Sequence, residues 1–147
     1  MRALIQRTSG VKLYIDSKLY SESKKGLLVL FGTKEGDNSS YLPKLVDKIS
    51  NLRIFEDEEG KMNLSAIDIK AEIMVVSQFT LYANTSKGRR PSFNEAQNPT
   101  DANKIYEKCI ELFQQTGLSI SNGQFGASMD IQFNNDGPVT ILLDDDV

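Results

Sequence analysis

The sequence contains no histidine, no tryptophan and a single cysteine, Cys109. Without histidine there is no Ser-His-Asp triad, no Cys-His pair and no histidine-ligated metal. One cysteine excludes an internal disulfide framework and a cysteine-based zinc site. We therefore expect no metal and no cofactor, and any catalysis must use other groups.

Long apolar runs are also missing. The longest stretch, Leu27-Leu28-Val29-Leu30-Phe31, is far shorter than the roughly 20 residues that span a bilayer. The first ten residues lack the apolar core of a signal peptide. The sequence thus predicts a cytoplasmic protein that does not associate with membranes.

Charge of one sign does not dominate the chain. Its 147 residues carry 17 Lys+Arg and 20 Asp+Glu, a net charge of −3. This balance argues against a broad surface that coats nucleic acid, but it allows a local basic patch. Residues 87–90 form one candidate, in which Lys87, Arg89 and Arg90 could clamp a phosphate. A solvated charged turn is an equally good interpretation, and the acidic run Asp144-Asp145-Asp146 is expected to stay solvated.

The length predicts one domain over residues 1–147. In the first part of the chain, residues 2–7 and the alternating residues 11–15 indicate two strands joined by a turn at Ser9-Gly10. Residues 27–31 are typical of a central strand buried on both faces, and residues 72–76 of another apolar strand.

Two amphipathic helices are predicted, one capped by Ser39 or Ser40 and one capped by Thr100 and ended by Gly117. The apolar stripe of the second includes Tyr106 and Cys109, and Cys109 is better explained as core packing than as a nucleophile. Residues 129–133 and 139–143 alternate around an Asp-Gly pair, which predicts a hairpin. The predicted fold class is α+β, with a mainly antiparallel, barrel-like sheet and two principal helices packed on it.

Three further segments differ from ordinary core. The first is Ser77-Gln78-Phe79-Thr80, at the end of a predicted strand, where loops commonly build sites. A polar strand exit is the structural alternative. Ser77 has no histidine to activate it, so backbone amides that could bind an oxyanion are of more interest here than the hydroxyls.

The second segment is Asn135-Asp136-Gly137-Pro138-Val139-Thr140. Proline lacks an amide hydrogen, so Pro138 belongs at the start or edge of a strand. A trans peptide would make this an ordinary hairpin entry, whereas a cis peptide would turn consecutive carbonyls outward as a rigid edge.

The third segment is Gly123-Gln124-Phe125-Gly126-Ala127-Ser128-Met129. The glycines beside Phe125 could present its ring to a flat base, and Met129 adds a polarizable contact. Ordinary packing is the alternative.

Taken together, these segments carry a specific resemblance. The pair formed by residues 77–80 and 135–140 resembles the signature of the D-aminoacyl-tRNA deacylases, and the likeness covers nearly the whole chain. Further matching blocks are Met1-Arg2-Ala3, Gln6-Arg7, Asn51-Leu52-Arg53-Ile54-Phe55-Glu56-Asp57, Gly60-Lys61-Met62-Asn63-Leu64-Ser65, Lys87-Gly88-Arg89-Arg90-Pro91-Ser92-Phe93 and Phe125-Gly126-Ala127 with Met129.

The resemblance implies a homodimer that hydrolyses the ester between a D-amino acid and the 3′-terminal adenosine of tRNA, with the active site at the subunit interface. It implies that Gly137-Pro138, with a cis bond, enters the partner's pocket and excludes L side chains, and that Arg7 orients this motif. It further implies that the binding residues include Phe125 and Met129 for adenosine, together with Asn135, Val139 and Thr140. Residues 77–80 would form the catalytic floor.

Two consequences follow from such a filter. Because it excludes by shape, it should accept many D-amino acids, and because glycine has no side chain, it should also admit glycyl-tRNA. Two candidates for the nucleophile are open. Thr80 lacks an obvious base, whereas water assisted by the tRNA 2′-hydroxyl suits a chain without histidine better.

Other functions are compatible with the same residues. One is a related deacylase of relaxed chirality that acts on L-alanyl-tRNA. Another is a non-catalytic module that binds the tRNA 3′ end, and a third is a purely structural dimer.

Overall fold

A computed structural model describes residues 1–144. Asp145 and Asp146 of the predicted acidic tail lie outside the described residues. The strands are β1 (Arg2–Ile15), β2 (Lys18–Ser23), β3 (Gly26–Gly32), β4 (Phe55–Glu56), β5 (Met62–Leu64), β6 (Glu72–Ser77), β7 (Ile120–Asn122) and β8 (Asp130–Leu143). The helices are α1 (Leu42–Ser50), α2 (Ala66–Ile69) and α3 (Pro99–Gln114), and short 3-10 turns span Ser39–Tyr41 and Phe79–Tyr82.

The main sheet has the order β2-β1-β3-β6-β7, and β8 pairs with the other side of β1. β1 runs antiparallel to β2, β3 and β8. β3 and β6 are parallel, as are β6 and β7, because helices cross over between them. The predicted α+β class is confirmed, but the sheet is mixed rather than mainly antiparallel.

The sheet nearly closes into a barrel through side chains that join β2 to β7. The hydroxyl of Ser121 donates to the backbone oxygen of Glu22 at 2.8 Å, and the hydroxyl of Ser21 donates to that of Asn122 at 3.0 Å. These bonds replace the backbone ladder that a fully closed barrel would have.

The core lies on both faces of β3 and β6, as predicted for residues 27–31. Val29 and Val75 face α1 and α3, while Leu28 and Met74 face the barrel interior. Cys109 packs in the first of these clusters at 1% exposure, and burial raises the pKa of its thiol to about 12. It is a core residue.

The predicted turn at Ser9-Gly10 is wrong, because β1 runs through it. Before this point β1 pairs with β3, from Arg2 to Thr8, and after it with β2, from Val11 to Ile15. The break in the apolar pattern marks a change of neighbouring strand.

The predicted caps and the predicted last hairpin also differ from the structure. Asn38 caps the 3-10 turn before α1, and Asn98 caps α3 by accepting from the Asp101 amide. These positions replace Ser39 or Ser40 and Thr100. Residues 130–143 form one strand, because both halves pair with β1 in the same direction. No helix among residues 1–144 is long and apolar enough to cross a membrane.

Candidate active site

A cavity of about 670 Å³ opens where β3 and β6 end. It brings together two of the predicted segments, since Ser77, Gln78 and Phe79 line it with Phe125 and Met129. The remaining lining residues are Phe31, Gly32, Thr33, Val76, Phe93, Ala96, Gln97, Asn98, Pro99, Ala102, Tyr106, Gly126, Ala127 and Ile131. Thr80 belongs to the same turn but does not line the cavity.

The floor of the cavity is the junction between β6 and the 3-10 turn that follows. The backbone amide of Gln78 donates to the backbone oxygen of Phe31 at 2.7 Å, which continues the pairing of β3 with β6. No side chain caps the turn that starts at Phe79. The first amides of a helical turn have no partner within it, so we expect those of Phe79 and Thr80 to be open to a ligand oxygen.

The walls of the cavity are aromatic. Phe93 packs edge-on against Phe79 with ring centroids 4.9 Å apart, and Tyr106 lies 6.0 Å from Phe125 at a tilt of 42°. Met129 lies at the end of the same loop as Phe125. These surfaces suit a flat, apolar ring such as a nucleobase.

No lining residue is an acid, a lysine, an arginine or a cysteine. Burial raises the pKa of the one lining phenol, Tyr106. The Thr80 hydroxyl accepts a hydrogen bond from the Gln78 side-chain amide, which is a donor and therefore no base. Residues 1–144 supply the cavity with hydrogen-bond donors and apolar surface but with no general base near neutral pH.

The segment 135–140 forms a bulge in β8. Gln6 pairs with Thr140 and Thr8 with Asn135, so residues 136–139 of β8 all lie opposite Arg7. The Asn135 side chain closes the bulge by accepting from the Val139 amide at 3.1 Å and donating to the Thr140 hydroxyl at 2.8 Å.

Arg7 fills the space beneath this bulge and is only 4% exposed. Its Nη1 donates to the backbone oxygen of Ile54 at 2.7 Å, and its Nε donates to that of Asp136 at 3.2 Å. The Gly137–Pro138 peptide is cis, and both residues are exposed. None of the residues in this bulge lines the cavity of its own chain.

Comparison with known proteins identifies the family. The family described as D-Tyr-tRNA(Tyr) deacylase matches residues 4–144. The chain belongs to this family. Proteins named D-aminoacyl-tRNA deacylase from Aquifex aeolicus (strain VF5) and from Clostridioides difficile (strain 630) are each 51% identical over 144 residues, which cover 98% of this chain and 97% of each relative.

Solved structures share the fold of this chain. A protein described as c-Myc DNA Unwinding Element Binding Protein superposes with a TM-score of 0.92 at 38% identity over 98% of each chain. A probable eukaryotic D-amino acid tRNA deacylase shares the fold, with a TM-score of 0.83 at 17% identity over 97% of each chain.

In this deacylase-family chain, the basic residues Lys87, Arg89 and Arg90 lie on an exposed loop that leads to the cavity-lining residue Phe93. Two backbone hydrogen bonds between Asn84 and Ser92, of 2.8 and 3.0 Å, close the base of this loop. Phe93 follows directly and packs on the cavity floor. Lys87 also lines a separate polar cavity of about 450 Å³, whereas the two arginines line neither cavity.

Several lining residues were not predicted as site residues, notably Thr33, Gln97, Asn98 and Tyr106. Gln97 and Asn98 precede α3, where the sequence offered only a helix start as a signal. Tyr106 was assigned to the core by its position on the apolar stripe. Within residues 1–144, no group of three or more acidic or cysteine side chains is arranged to hold a metal ion.

Proposed function

We propose that this protein hydrolyses the ester bond that joins a D-amino acid to the 3′-terminal adenosine of tRNA, releasing free D-amino acid and tRNA. The observation that carries this proposal is a cavity that combines an aromatic wall with the uncapped turn at Phe79 and that is lined, among residues 1–144, by no acidic, basic or thiol side chain. Such a cavity suits a nucleoside ester that brings its own reactive hydroxyl. The curated relatives at 51% identity, which are named for this activity, support it.

The terminal adenosine lies against Phe125 and Met129 in this proposal. Stacking a base on an aromatic side chain contributes about 1–3 kcal/mol and requires no charge. The ester carbonyl then points to the floor, where the amides of Phe79 and Thr80 polarise it and bind the oxyanion that develops.

Water is the nucleophile. Its oxygen attacks the ester carbon and the bond to the 3′-oxygen breaks, while the neighbouring 2′-hydroxyl relays the water proton to the departing 3′-oxygen. This assignment is preferred to a Thr80 acyl-enzyme for two reasons. The Thr80 hydroxyl accepts a hydrogen bond from the side-chain amide of Gln78, which cannot remove its proton, and no base lines the cavity.

Chirality is selected by the cis Gly137–Pro138 bulge of a second subunit. The protein acts as a homodimer in which the bulge of one subunit enters the cavity of the other. In support of this proposal, the bulge is exposed and takes no part in its own cavity, although Arg7 holds it firmly. Its backbone leaves no room for an L side chain, and Asn135, Val139 and Thr140 shape it.

A filter of this kind excludes by shape and does not recognise a particular side chain. It therefore accepts many D-amino acids, and it accepts glycyl-tRNA because glycine has no side chain that the backbone could exclude. A clash with rigid backbone discriminates more strongly than the ~1–3 kcal/mol of one methylene in a pocket.

The tRNA is held close to its 3′ end. Lys87, Arg89 and Arg90 project from the loop whose base adjoins the cavity floor, so they bind phosphates near the terminal adenosine. A net charge of −3 is compatible with such local binding.

The decisive experiment is a deacylation time course with purified protein on D-Tyr-tRNA, L-Tyr-tRNA and Gly-tRNA. We expect rapid loss of the D-tyrosyl and glycyl esters and a background rate for the L-tyrosyl ester. Comparable hydrolysis of D- and L-esters would favour the relaxed L-alanyl-tRNA type of deacylase. Tight tRNA binding without ester loss would favour a 3′-end binding module. Absence of both binding and hydrolysis would favour a structural dimer.

A further inference from the structure

Tyr106 lies where the two halves of the candidate site meet. It extends from α3 and is 3% exposed, and its ring lines the cavity beside Phe125. The function proposed above assigns it no role, and its place on the apolar stripe of α3 explains its ring but not its hydroxyl.

The hydroxyl of Tyr106 contacts both segments that build the cavity. Its oxygen lies 2.9 Å from the backbone oxygen of Val75, on the strand that leads into Ser77, and 3.2 Å from that of Gly123, where the loop to Phe125 begins. One hydroxyl proton is thus shared by two carbonyls. Burial raises the pKa of this phenol, so the hydroxyl keeps the proton that it donates.

Gly123 is closely confined at the same point. Its amide donates to the backbone oxygen of Val75 at 3.0 Å. A Cβ added to Gly123 would lie 2.7 Å from the sulfur of Met129 and 3.2 Å from Cδ1 of Leu13. The loop therefore leaves the sheet in one fixed position, with the Tyr106 hydroxyl bound to both strands at the exit.

We propose that Tyr106 is a positioning residue whose hydroxyl sets the separation between the adenosine wall, Phe125 with Met129, and the ester-binding floor at residues 77–80. This inference rests on the proposed function. A ligand that touches only the wall does not depend on that separation. A ligand that must touch wall and floor together does, because misplacing a reacting group by about an ångström can cost about a hundredfold in rate.

The test compares two ligands on Tyr106→Phe, which removes one oxygen atom and keeps the ring. Adenosine contacts the wall alone, and a non-hydrolysable 3′-(D-tyrosylamino)adenosine contacts wall and floor. We expect Tyr106→Phe to bind adenosine within about twofold of the wild type. We expect it to bind the amide analogue about tenfold more weakly and to lose about tenfold in kcat/KM on D-Tyr-tRNA, in line with the cost of a lost buried hydrogen bond.

Tyr82→Phe is the matched control. Tyr82 is also 3% exposed, does not line the cavity, and its hydroxyl has no hydrogen-bond partner among the described residues. Tyr82→Phe should leave both affinities and kcat/KM unchanged. Thermal unfolding is measured for each variant, and trimethylamine N-oxide is added if Tyr106→Phe is not folded at the assay temperature, because this osmolyte favours the folded state.

Equal weakening of adenosine and of the amide analogue would overturn the proposal, since it would indicate a general loss of structure. Unchanged kcat/KM in folded Tyr106→Phe would overturn it as well. Failure of the wild type to hydrolyse D-Tyr-tRNA would instead contradict the proposed function, so the two failures can be distinguished.

Discussion

The Nε of Arg7 lies 3.2 Å from the backbone oxygen of Asp136 and 3.2 Å from a carboxylate oxygen of the same residue. Arg7 belongs to β1 and Asp136 to the bulge of β8, so one buried guanidinium joins the two strands where their register breaks. Its Nη1 is bound to Ile54 on the other side. In the proposed filter, these contacts of Arg7 set the direction in which Gly137 and Pro138 project.

We expect Arg7→Lys to reduce the preference for D- over L-Tyr-tRNA by at least tenfold, which corresponds to about 1.4 kcal/mol. A lysine keeps the charge but cannot reach both carbonyls with a planar fork. Each lost hydrogen bond to a charged group also costs about 1.5–3 kcal/mol of stability. Selectivity is measured from kcat/KM on both esters, and stability from urea unfolding.

Arg53→Lys is the control for this variant, because Arg53 is exposed and donates to one backbone oxygen, that of Asn63, at 2.9 Å. It should retain the selectivity of the wild type. An unchanged preference for D- over L-Tyr-tRNA in Arg7→Lys would show that Arg7 has no role in the filter.

Thr80→Ala should retain single-turnover deacylation within about tenfold of the wild type. The catalytic contribution assigned to Thr80 is its backbone amide, which alanine keeps. Thr100→Ala, an exposed position on α3, serves as the control. Complete loss of turnover in Thr80→Ala, with binding of the amide analogue intact, would instead establish the Thr80 hydroxyl as nucleophile.

A substrate whose terminal adenosine lacks the 2′-hydroxyl should be hydrolysed at least a hundredfold more slowly, since a positioned proton relay typically contributes about 10²–10⁴-fold. The rate is measured in single turnover on D-Tyr-tRNA ending in 2′-deoxyadenosine, after subtraction of its uncatalysed hydrolysis. Equal rates for the two substrates would exclude assistance by the 2′-hydroxyl.

Replacing Lys87, Arg89 and Arg90 together by alanine should raise KM for D-Tyr-tRNA about tenfold at physiological salt and leave kcat unchanged. The slope of log affinity against log salt should decrease by about two, since each phosphate contact on a single strand contributes about 0.7. The control replaces three exposed lysines outside the loop, Lys44, Lys48 and Lys104. Equal effects of the two triple variants would mean that the loop has no special role.

Cys109 should resist alkylation in the native protein at pH 8. The reactive species is the thiolate, and burial raises the pKa of this thiol to about 12, so it stays protonated at that pH. Iodoacetamide labelling followed by mass spectrometry should show modification only after denaturation. Rapid labelling of the folded protein would contradict the core assignment.

The central strands and the two long helices could be predicted from the sequence because their patterns are local and strong. The turn predicted at Ser9-Gly10 and the hairpin predicted at Asp136-Gly137 are wrong because the conformation at each pair depends on strands that are distant in the sequence. Ser9-Gly10 marks a change of partner within β1, and Asp136-Gly137 lies in a bulge occupied from below by Arg7. No periodicity near Gly137 indicates that this segment packs on Arg7, which lies 130 positions earlier in the sequence.

Two segments, residues 77–80 and the loop to Phe125 and Met129, stand out by their residue types and then by family resemblance, and the structure brings all of their named site residues except Thr80 to one cavity. Tyr106 could not be recognised in this way, since a tyrosine on an apolar stripe has the same pattern whether its hydroxyl is exposed or joins two strands. Only the positions of Val75 and Gly123 reveal the difference.

The central claim is that the filter of one subunit completes the cavity of another, and a subunit-mixing experiment tests it most directly. Arg7→Lys, with its relaxed selectivity, is allowed to exchange subunits with an excess of Ala96→Trp, which fills the cavity. If the filter acts across the interface, each open cavity acquires an intact filter. L-Tyr-tRNA hydrolysis should then fall to background while D-Tyr-tRNA hydrolysis persists. A D/L ratio that stays at the Arg7→Lys value after exchange would contradict the account.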